Sequence, residues 1–514
     1  MKPNILFIQA DQLTASFLGA YGNAIVKAPN IDALAERSTV FESAYCNFPL
    51  CAPSRFSMMS GQLASKIGAY DNGAEFPSSI PTFAHYLRAA GYQTSLVGKM
   101  HFVGADQLHG FEDRLTTDIY PADFNWTGDW TETTPEFAND ARSFKQAGVC
   151  ARNVQIDYDE EVCHRASRKL YDLARSDDDR PFFMLTSFTH PHDPYQCTHE
   201  YWGRYHHDDI DMPVVPRIPD AELDPYSQRL MALSGLDKYV VDEVETRRAR
   251  HAYYGSVSYL DDLVGKLLSV LSETGLDANT AIVFTTDHGD NLGERGLWYK
   301  KNFFEASARI PLMIHLPGQL GQRITQHVSL VDLAPTLIEM AGEQPDEFTV
   351  EPLDGKSLIG LMADSDAAWP QNVYSELLAE GAAAPQIMIR NKQYKYIYSG
   401  CDPELLYDLE QDPNERNNCI AEPGLSDLVD EFRAQVVEKW DIPRLTRDIV
   451  LSQKRRLFLR KALHIGKFAD WDFVAADQVA QQCLRSNQVY NEWAYSQMLD
   501  LNAEPEFNNS DSNL

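Results

Sequence analysis

Short apolar segments alternate with longer amphipathic ones in this chain, and that alternation constrains the fold more than any other feature of the sequence. Five apolar runs have the length of a buried strand and are bounded by polar or turn-forming residues. The segments between them carry apolar residues at helical spacing. This pattern predicts an α/β fold in which helices cover both faces of a mainly parallel sheet. The predicted strands are residues 5–10, 94–97, 182–188, 281–286 and 311–316.

Five segments are predicted to be helical, namely residues 31–37, 82–90, 160–174, 247–273 and 330–340. Asn30 precedes the first and is the expected N-cap, since its side chain can accept a hydrogen bond from the first turn. Gly91 and Gly342 follow the second and the fifth. Both are expected to end their helices, because glycine readily adopts the left-handed conformation found there.

Polar side chains directly follow four of the predicted strands. In open α/β sheets, ligands bind beyond the carboxyl ends of the strands. We therefore expect these side chains to converge on one crevice. They are Asp11 and Gln12, Lys99 and His101, His190 with His192 and Asp193, and Asp287 with His288.

The length of 514 residues is too great for a single hydrophobic core, so more than one domain is expected. A small, polar stretch near residue 365 ends the α/β pattern, and short strand-like runs follow it. We predict a catalytic α/β domain over residues 1–365, a smaller α+β subdomain over 366–445 and a C-terminal tail over 446–514.

The chain has 45 basic and 75 acidic residues, for a net charge of −30. Nucleic acids and anionic membranes attract basic surfaces, so neither is an expected partner. No apolar run reaches the roughly 18 to 20 residues that span a bilayer, and the first residues lead into a strand without a signal-like segment. With only eight cysteines, a disulfide framework is not expected and a cytoplasmic location is.

Cys51 stands in the run Cys51-Ala52-Pro53-Ser54-Arg55, which opens a short predicted helix ended by Gly61. A helix N-terminus favours negative charge, as a nucleophile requires. Position alone nevertheless favours a buried structural cysteine, and a catalytic thiolate is a further alternative.

The same run resembles the signature of the type I sulfatases, in which this cysteine is oxidised to formylglycine. Four other motifs match that superfamily in the same order, and the resemblance implies an alkaline-phosphatase-like fold. These motifs are Asp11-Gln12, Lys99 with His101, residues 287–290 and residues 406–413.

Further segments resemble the choline sulfatase subgroup over nearly the whole chain. They are residues 69–72, 98–101, 106–111, 115–124, 187–194 and 295–298, and Asp470-Trp471-Asp472 in the tail. The resemblance implies hydrolysis of choline O-sulfate. One departure is residues 135–142, which replace an aromatic-rich run of that subgroup. A different small organic sulfate therefore stays open, and Arg142 would favour a second anionic group.

The resemblance also implies a metal site for one divalent cation, held by residue 51 together with Asp11, Gln12, Asp287 and His288. Ca²⁺ is expected, with Mg²⁺ and Mn²⁺ as alternatives because the ligand types do not separate them. A hydrated formylglycine would attack sulfur and release the alcohol, and its second hydroxyl would then expel sulfate. Each Asp alone would be read as a turn cap, but two at matching strand ends favour a metal.

The remaining catalytic roles implied by the resemblance belong to basic residues. Arg55 is expected to orient the diol, and Lys99 and Lys300 to contact sulfate as point charges. His101 is the predicted base and His190 the predicted acid for the leaving oxygen. Taken singly, each would be read as a surface or core residue; their shared crevice favours the catalytic interpretation.

The alcohol would be bound by Asn72, Trp126 and Asp472. A quaternary ammonium group is held by aromatic faces and carboxylates because it has no proton to donate. For Trp126, a place in the hydrophobic core is an equally weighted alternative.

The expected partners are a small organic sulfate ester, a maturation enzyme that oxidises Cys51, and further copies of the chain in a dimer or tetramer joined by the tail. Three alternatives stay open: a sulfatase for another small alkyl sulfate, a phosphonate monoester or phosphodiester hydrolase, and an unmatured protein that only binds sulfate esters.

Overall fold

The computed structural model describes residues 2–131 and 142–466. Within them lie fourteen strands: β1 Asn4–Ala10, β2 Thr39–Tyr45, β3 Gln93–Gly98, β4 Asp113–Arg114, β5 Gly148–Val149, β6 Phe182–Ser187, β7 Gln196–Cys197, β8 Thr280–Thr286, β9 Arg309–His315, β10 Gln322–Ser329, β11 Val373–Leu377, β12 Gln386–Arg390, β13 Tyr394–Ser399 and β14 Leu405–Asp408.

The same residues contain fifteen α-helices, and none of them has the length and apolarity to cross a bilayer. They are α1 Pro29–Glu36, α2 Cys51–Ser60, α3 Ala64–Ile67, α4 Phe83–Ala89, α5 Arg142–Lys145, α6 Val154–Arg175, α7 His199–Trp202, α8 Pro225–Leu233, α9 Glu243–Glu273, α10 Glu305–Ala308, α11 Leu333–Met340, α12 Pro345–Phe348, α13 Ile359–Ala363, α14 Ser426–Lys439 and α15 Ile442–Leu463.

Eight strands form the central sheet in the order β10-β2-β9-β8-β1-β6-β3-β4. The four central neighbours β8, β1, β6 and β3 are parallel, whereas β9 runs antiparallel to β8 and β2. All but the first residue of β1 are buried, as expected of a strand covered on both faces. The predicted α/β class is confirmed, and the five predicted strands are β1, β3, β6, β8 and β9.

The predicted cap of the first helix is wrong. Helix α1 begins at Pro29, and the carboxylate of Asp261 in α9 accepts hydrogen bonds from the backbone N–H groups of Asn30 and Ile31 at 3.2 and 2.7 Å. Asp261, 230 residues further along the chain, therefore replaces the expected local cap of α1. The predicted glycine stops of the second and fifth helices are present, since Gly91 and Gly342 have φ angles of 92° and 82°.

A smaller antiparallel sheet follows, in the order β11-β12-β13-β14, and α14 packs on it through Phe432, whose ring stacks on Tyr396 at 5.3 Å. Lys395 of β13 fixes this sheet to the larger part of the chain. Its Nζ donates to the carbonyl of Phe303 and to Glu415, both at 2.7 Å. Helix α15 comes last and crosses the predicted boundary at residue 446.

Candidate functional site

The four parallel strands at the centre of the sheet bring the predicted polar side chains to one crevice. The backbone N–H of Gln12, after β1, donates to Asp287 Oδ1, after β8, at 3.1 Å. The backbone N–H of Asp11 donates to the carbonyl of His190, after β6, at 3.3 Å. Lys99 follows β3 and pairs with Asp11. The predicted convergence of the strand ends is therefore confirmed.

Four buried side chains in the crevice form a candidate metal centre. One ligand atom from each of Asp11, Cys51, Asp287 and His288 lies within 4.8 Å of the other three. The Nδ1 atom of His288 is 3.0 Å from the carbonyl oxygen of Gly289. With the proton on Nδ1, the lone pair of Nε2 points into the cluster, as metal ligation requires. Two carboxylates, one imidazole and residue 51 thus fit a divalent cation.

Cys51 is the first residue of α2 and is fully enclosed. Its Sγ atom lies 3.2 Å from His288 Nε2 and 4.0 Å from Asp11 Oδ1. Burial alone would raise the pKa of the Cys51 thiol, but Lys300 and Lys99 lower it well below its usual range. Positive charge therefore surrounds the position where the sequence predicts the nucleophile.

Arg55, one turn further along α2, joins the two carboxylates of the cluster. Its Nε donates to Asp287 Oδ2 at 2.8 Å and its Nη2 to Asp11 Oδ2 at 2.9 Å. Its Nη1 donates to the carbonyl of Lys99 at 2.6 Å and to Ser187 Oγ at 2.8 Å. All three side chains of this ion-pair network are fully buried, so the network fixes the orientation of both carboxylates.

Two buried lysines lie in the crevice and act on residue 51. Lys99 Nζ pairs with Asp11, and Lys300 Nζ donates to Gln12 Oε1 and to His192 Nε2, the latter at 2.7 Å. Burial alone would raise the pKa of Asp11, but Lys99 together with His192 and Arg55 outweighs it and lowers this pKa to about 2. Both predicted sulfate contacts therefore lie beside the candidate metal centre.

Gln12 is held by its side chain as well as by its backbone. Its Nε2 donates to Asp290 Oδ2 at 2.5 Å and to Asp193 Oδ1 at 3.3 Å. Tyr195 donates to the same oxygen of Asp290 at 2.9 Å. The amide oxygen of Gln12, which accepts from Lys300, keeps a second lone pair that suits the predicted ligand role.

His101 lies in the crevice with φ 63°. Its backbone N–H donates to Asp118 Oδ2 at 2.7 Å. Burial lowers the pKa of His101, and a side-chain contact with Cys51 opposes this shift. Apart from that contact, its two ring nitrogens make no hydrogen bond within the described part of the chain, so they can serve residue 51 and a bound molecule.

His190 follows β6 and is held by Asp159 of α6. The distance from His190 Nδ1 to Asp159 Oδ2 is 2.6 Å, and the backbone N–H groups of Thr189 and His190 donate to the same carboxylate at 2.8 and 3.0 Å. With Nδ1 engaged by Asp159, Nε2 is the ring nitrogen of His190 that is left to exchange a proton. Asp159 was not predicted from the sequence, although it occupies the apolar stripe of an amphipathic helix, where a carboxylate is unusual.

An aromatic wall flanks the crevice at Lys99. The ring of Tyr120 lies 4.0 Å from Lys99 Nζ and 4.8 Å from the ring of Trp126, which is itself 5.2 Å from His101. Trp126 is only half-buried, which argues against the core interpretation. Asn72 adjoins the nucleophile, since its Oδ1 accepts from the backbone N–H of Ala52 at 3.0 Å.

Glu380 is a further candidate that sequence reasoning missed. Its Oε1 pairs with Lys301 Nζ at 2.7 Å, while its Oε2 is buried and makes no hydrogen bond to any described residue. A Cβ added to Gly128 would lie 3.2 Å from Glu380 Cβ, so Glu380 packs against the chain two residues after Trp126. No local motif marks Glu380 in the sequence.

Two predictions fall outside the described residues. Asp472, with its neighbours Asp470 and Trp471, lies beyond residue 466. Residues 135–141 of the departing segment lie in the gap between residues 131 and 142, and α5 begins at Arg142.

Comparisons with known proteins agree with this geometry. The sulfatase family model matches residues 3–343, and the C-terminal model of N-sulphoglucosamine sulphohydrolase matches residues 293–441. A choline-sulfatase of Rhizobium meliloti is 44% identical over 95% of this chain and 96% of its own. An arylsulfatase of Clostridium perfringens is 29% identical over 85% of this chain and 94% of its own.

Solved structures share the fold at lower identity. The phosphonate monoester hydrolase of Agrobacterium radiobacter superposes with a TM-score of 0.69 at 23% identity, over 85% of this chain and 95% of its own. At that identity the likeness bears on the fold, and the predicted alkaline-phosphatase-like architecture is confirmed.

Proposed function

The chain belongs to the sulfatase family, and from that premise we propose that it hydrolyses choline O-sulfate to choline and inorganic sulfate. The observation that carries the proposal is the buried cluster of residue 51 with Asp11, Asp287 and His288, surrounded by basic side chains. The identity to a choline-sulfatase, maintained over nearly both full lengths, supports choline as the alcohol.

We propose that Cys51 is oxidised to formylglycine and that one divalent cation binds Asp11, Gln12, Asp287 and His288. When present, these two groups supply an oxygen nucleophile and a Lewis acid. Two carboxylates, an amide oxygen and residue 51 give a mainly oxygen ligand set, which supports Ca²⁺, with Mg²⁺ and Mn²⁺ as alternatives.

The residues around the cluster take the remaining roles in this proposal. Arg55 holds both carboxylates in place, and Lys99 and Lys300 neutralise the charge of the sulfate oxygens. His190, oriented by Asp159, donates a proton to the leaving alcohol oxygen. His101, whose side chain contacts residue 51, serves as the base toward it.

The alcohol would occupy the aromatic wall. Trp126 and Tyr120 offer ring faces to a quaternary ammonium group. Asn72 adjoins the nucleophile through its hydrogen bond to the backbone of Ala52. Glu380 packs against the chain two residues after Trp126, and one of its carboxylate oxygens pairs with Lys301 while the other is buried without a hydrogen bond to any described residue. It is the candidate carboxylate for a cationic alcohol in this proposal. Asp472 stays a proposed contact from the tail.

Three further features belong to the proposal. A maturation enzyme oxidises Cys51, and the tail after residue 446 joins copies of the chain into a dimer or tetramer. A cytoplasmic location is supported by the seven cysteines in the described ranges, all of which are free thiols.

The test has two parts. Mass spectrometry of the peptide containing residue 51, purified from a host with the oxidising machinery, should find formylglycine. Sulfate release should then be faster from choline sulfate than from ethyl sulfate or an aryl sulfate. A strong preference for phosphonate monoesters would favour the activity named for the fold neighbour. An unmodified thiol without turnover would favour a protein that only binds sulfate esters.

A further inference from the structure

Helix α15 touches the crevice region through one buried arginine. Arg456 forms a two-pronged ion pair with Asp71: Nη1 lies 2.5 Å from Oδ1, and Nη2 lies 2.8 Å from Oδ2. Nη1 also donates to Thr127 Oγ1 at 3.1 Å. Asp71 is fully buried and Arg456 is 5% exposed, so solvent does not screen this contact.

The two residues that Arg456 binds, Asp71 and Thr127, are the chain neighbours of two proposed alcohol contacts. Asp71 precedes Asn72, whose side chain binds the start of α2 beside Cys51. Thr127 follows Trp126, whose ring contacts Tyr120 and His101. One guanidinium group therefore joins the two loops that form the alcohol side of the crevice.

The two loops also contact each other directly, and the contact has no room for a side chain. A Cβ added to Gly73 would lie 2.5 Å from the backbone nitrogen of Thr127. The backbone N–H of Gly73 donates to Asp71 Oδ1 at 2.9 Å, so the oxygen that Arg456 binds also shapes this turn.

A second residue on the same face of α15 supports the arrangement. Gln453, one turn before Arg456, accepts a hydrogen bond from the backbone N–H of Trp130 at 3.0 Å. Trp130 in turn donates through its indole to the carbonyl of Ala379, next to Glu380, at 3.0 Å. The helix thus contacts the Trp126 loop at two points.

We propose that Arg456 is a positioning residue for substrate specificity: by joining Asp71 to Thr127 it sets the distance between Asn72 and Trp126, and so the fit of the alcohol. This inference rests on the proposed function, because it takes Asn72 and Trp126 as the alcohol contacts. Arg456 touches neither the nucleophile nor the metal ligands within the described residues, so its loss should leave the chemical step intact.

The test compares a choline ester with one too short to reach the wall. Steady-state rates are measured with choline sulfate and ethyl sulfate for Arg456→Lys, Arg456→Gln and the control Arg455→Gln, an exposed arginine on the same helix. Lysine keeps the charge but cannot bind both oxygens of Asp71. Melting curves establish that each variant is folded at the assay temperature.

For both Arg456 variants we expect KM for choline sulfate to rise about tenfold, with kcat within about threefold of the wild type. The kcat/KM for ethyl sulfate should stay within about threefold, and Arg455→Gln should behave as the wild type. An equal loss on both esters, an unchanged KM, or failure of both Arg456 variants to fold would overturn the positioning role.

The wild-type measurement separates the two proposals. A wild type without preference for choline sulfate over ethyl sulfate contradicts the proposed substrate. A preference that is present in the wild type and survives undiminished in Arg456→Lys contradicts the role of Arg456 alone.

Discussion

Substitution of His190 by Gln should lower kcat most for sulfate esters whose leaving group needs a proton. The imidazole is 2% exposed and its Nδ1 is 2.6 Å from Asp159 Oδ2, so one ring nitrogen is already committed and the other can serve as the donor. A positioned general acid contributes roughly 10²- to 10⁴-fold. We expect kcat for choline sulfate to fall by that factor, because an alkoxide is a poor leaving group.

The discriminating assay adds 4-nitrophenyl sulfate, whose leaving phenolate is stable without a proton. Its turnover by His190→Gln should fall by less than about tenfold. Asp159→Asn should lie between the wild type and His190→Gln on choline sulfate, about tenfold to a hundredfold down, since it disturbs only the orientation of the ring. His164→Gln, an exposed histidine on α6, is the matched control. Equal losses on both esters would refute the proton-donor role of His190.

Three further predictions follow from the site and its supports. Dialysis against EDTA should abolish sulfate release, and one divalent cation per chain, counted by metal analysis, should restore it, with Ca²⁺ most effective; full activity after dialysis would contradict the metal centre. Cys51→Ala should lose turnover on every sulfate ester while its melting temperature stays within a few degrees of the wild type. Gly73→Ala should raise KM for choline sulfate at least about tenfold, because the added methyl group meets the backbone of Thr127; an unchanged KM would argue against the close loop contact.

The central sheet and the chemical half of the site could be predicted because both depend on short-range patterns. An apolar run followed closely by Asp11, Lys99, His190 or Asp287 indicates both a strand and a site residue within about ten residues of sequence. Because those strands are parallel, their carboxyl ends lie at the same edge of the sheet, and no long-range contact has to be predicted to bring the side chains together.

Strands β2 and β10 were missed because their sequences do not form clean apolar runs. Glu42 interrupts β2, and β10 alternates exposed and buried residues only irregularly. Both strands lie at the side of the sheet where β9 turns antiparallel, so they are less enclosed than β1 and need fewer apolar side chains.

The other omissions are contacts between distant parts of the chain. Asp261 caps a helix 230 residues earlier, and Arg456 binds a carboxylate 385 residues earlier. No spacing rule connects such pairs. A buried carboxylate in an apolar helical stripe, as at Asp159, is the one kind of signal that could have indicated a partner in advance.

These two kinds of information correspond to two halves of the site. The half that we propose acts on the sulfate group lies mainly on strand ends and α2, which are rigid elements defined locally. The half that we propose faces the alcohol lies around Asn72 and Trp126, where long-range side-chain contacts hold the chain in place. Loops can change while the sheet stays the same, so proteins of this fold can share a reacting centre and differ in the ester they accept. It follows that substitutions at strand ends should act mainly on kcat for every ester. Substitutions at Arg456, Asp71 or Thr127, which position the chain around Asn72 and Trp126, should act mainly on KM, and only for esters long enough to reach the aromatic wall.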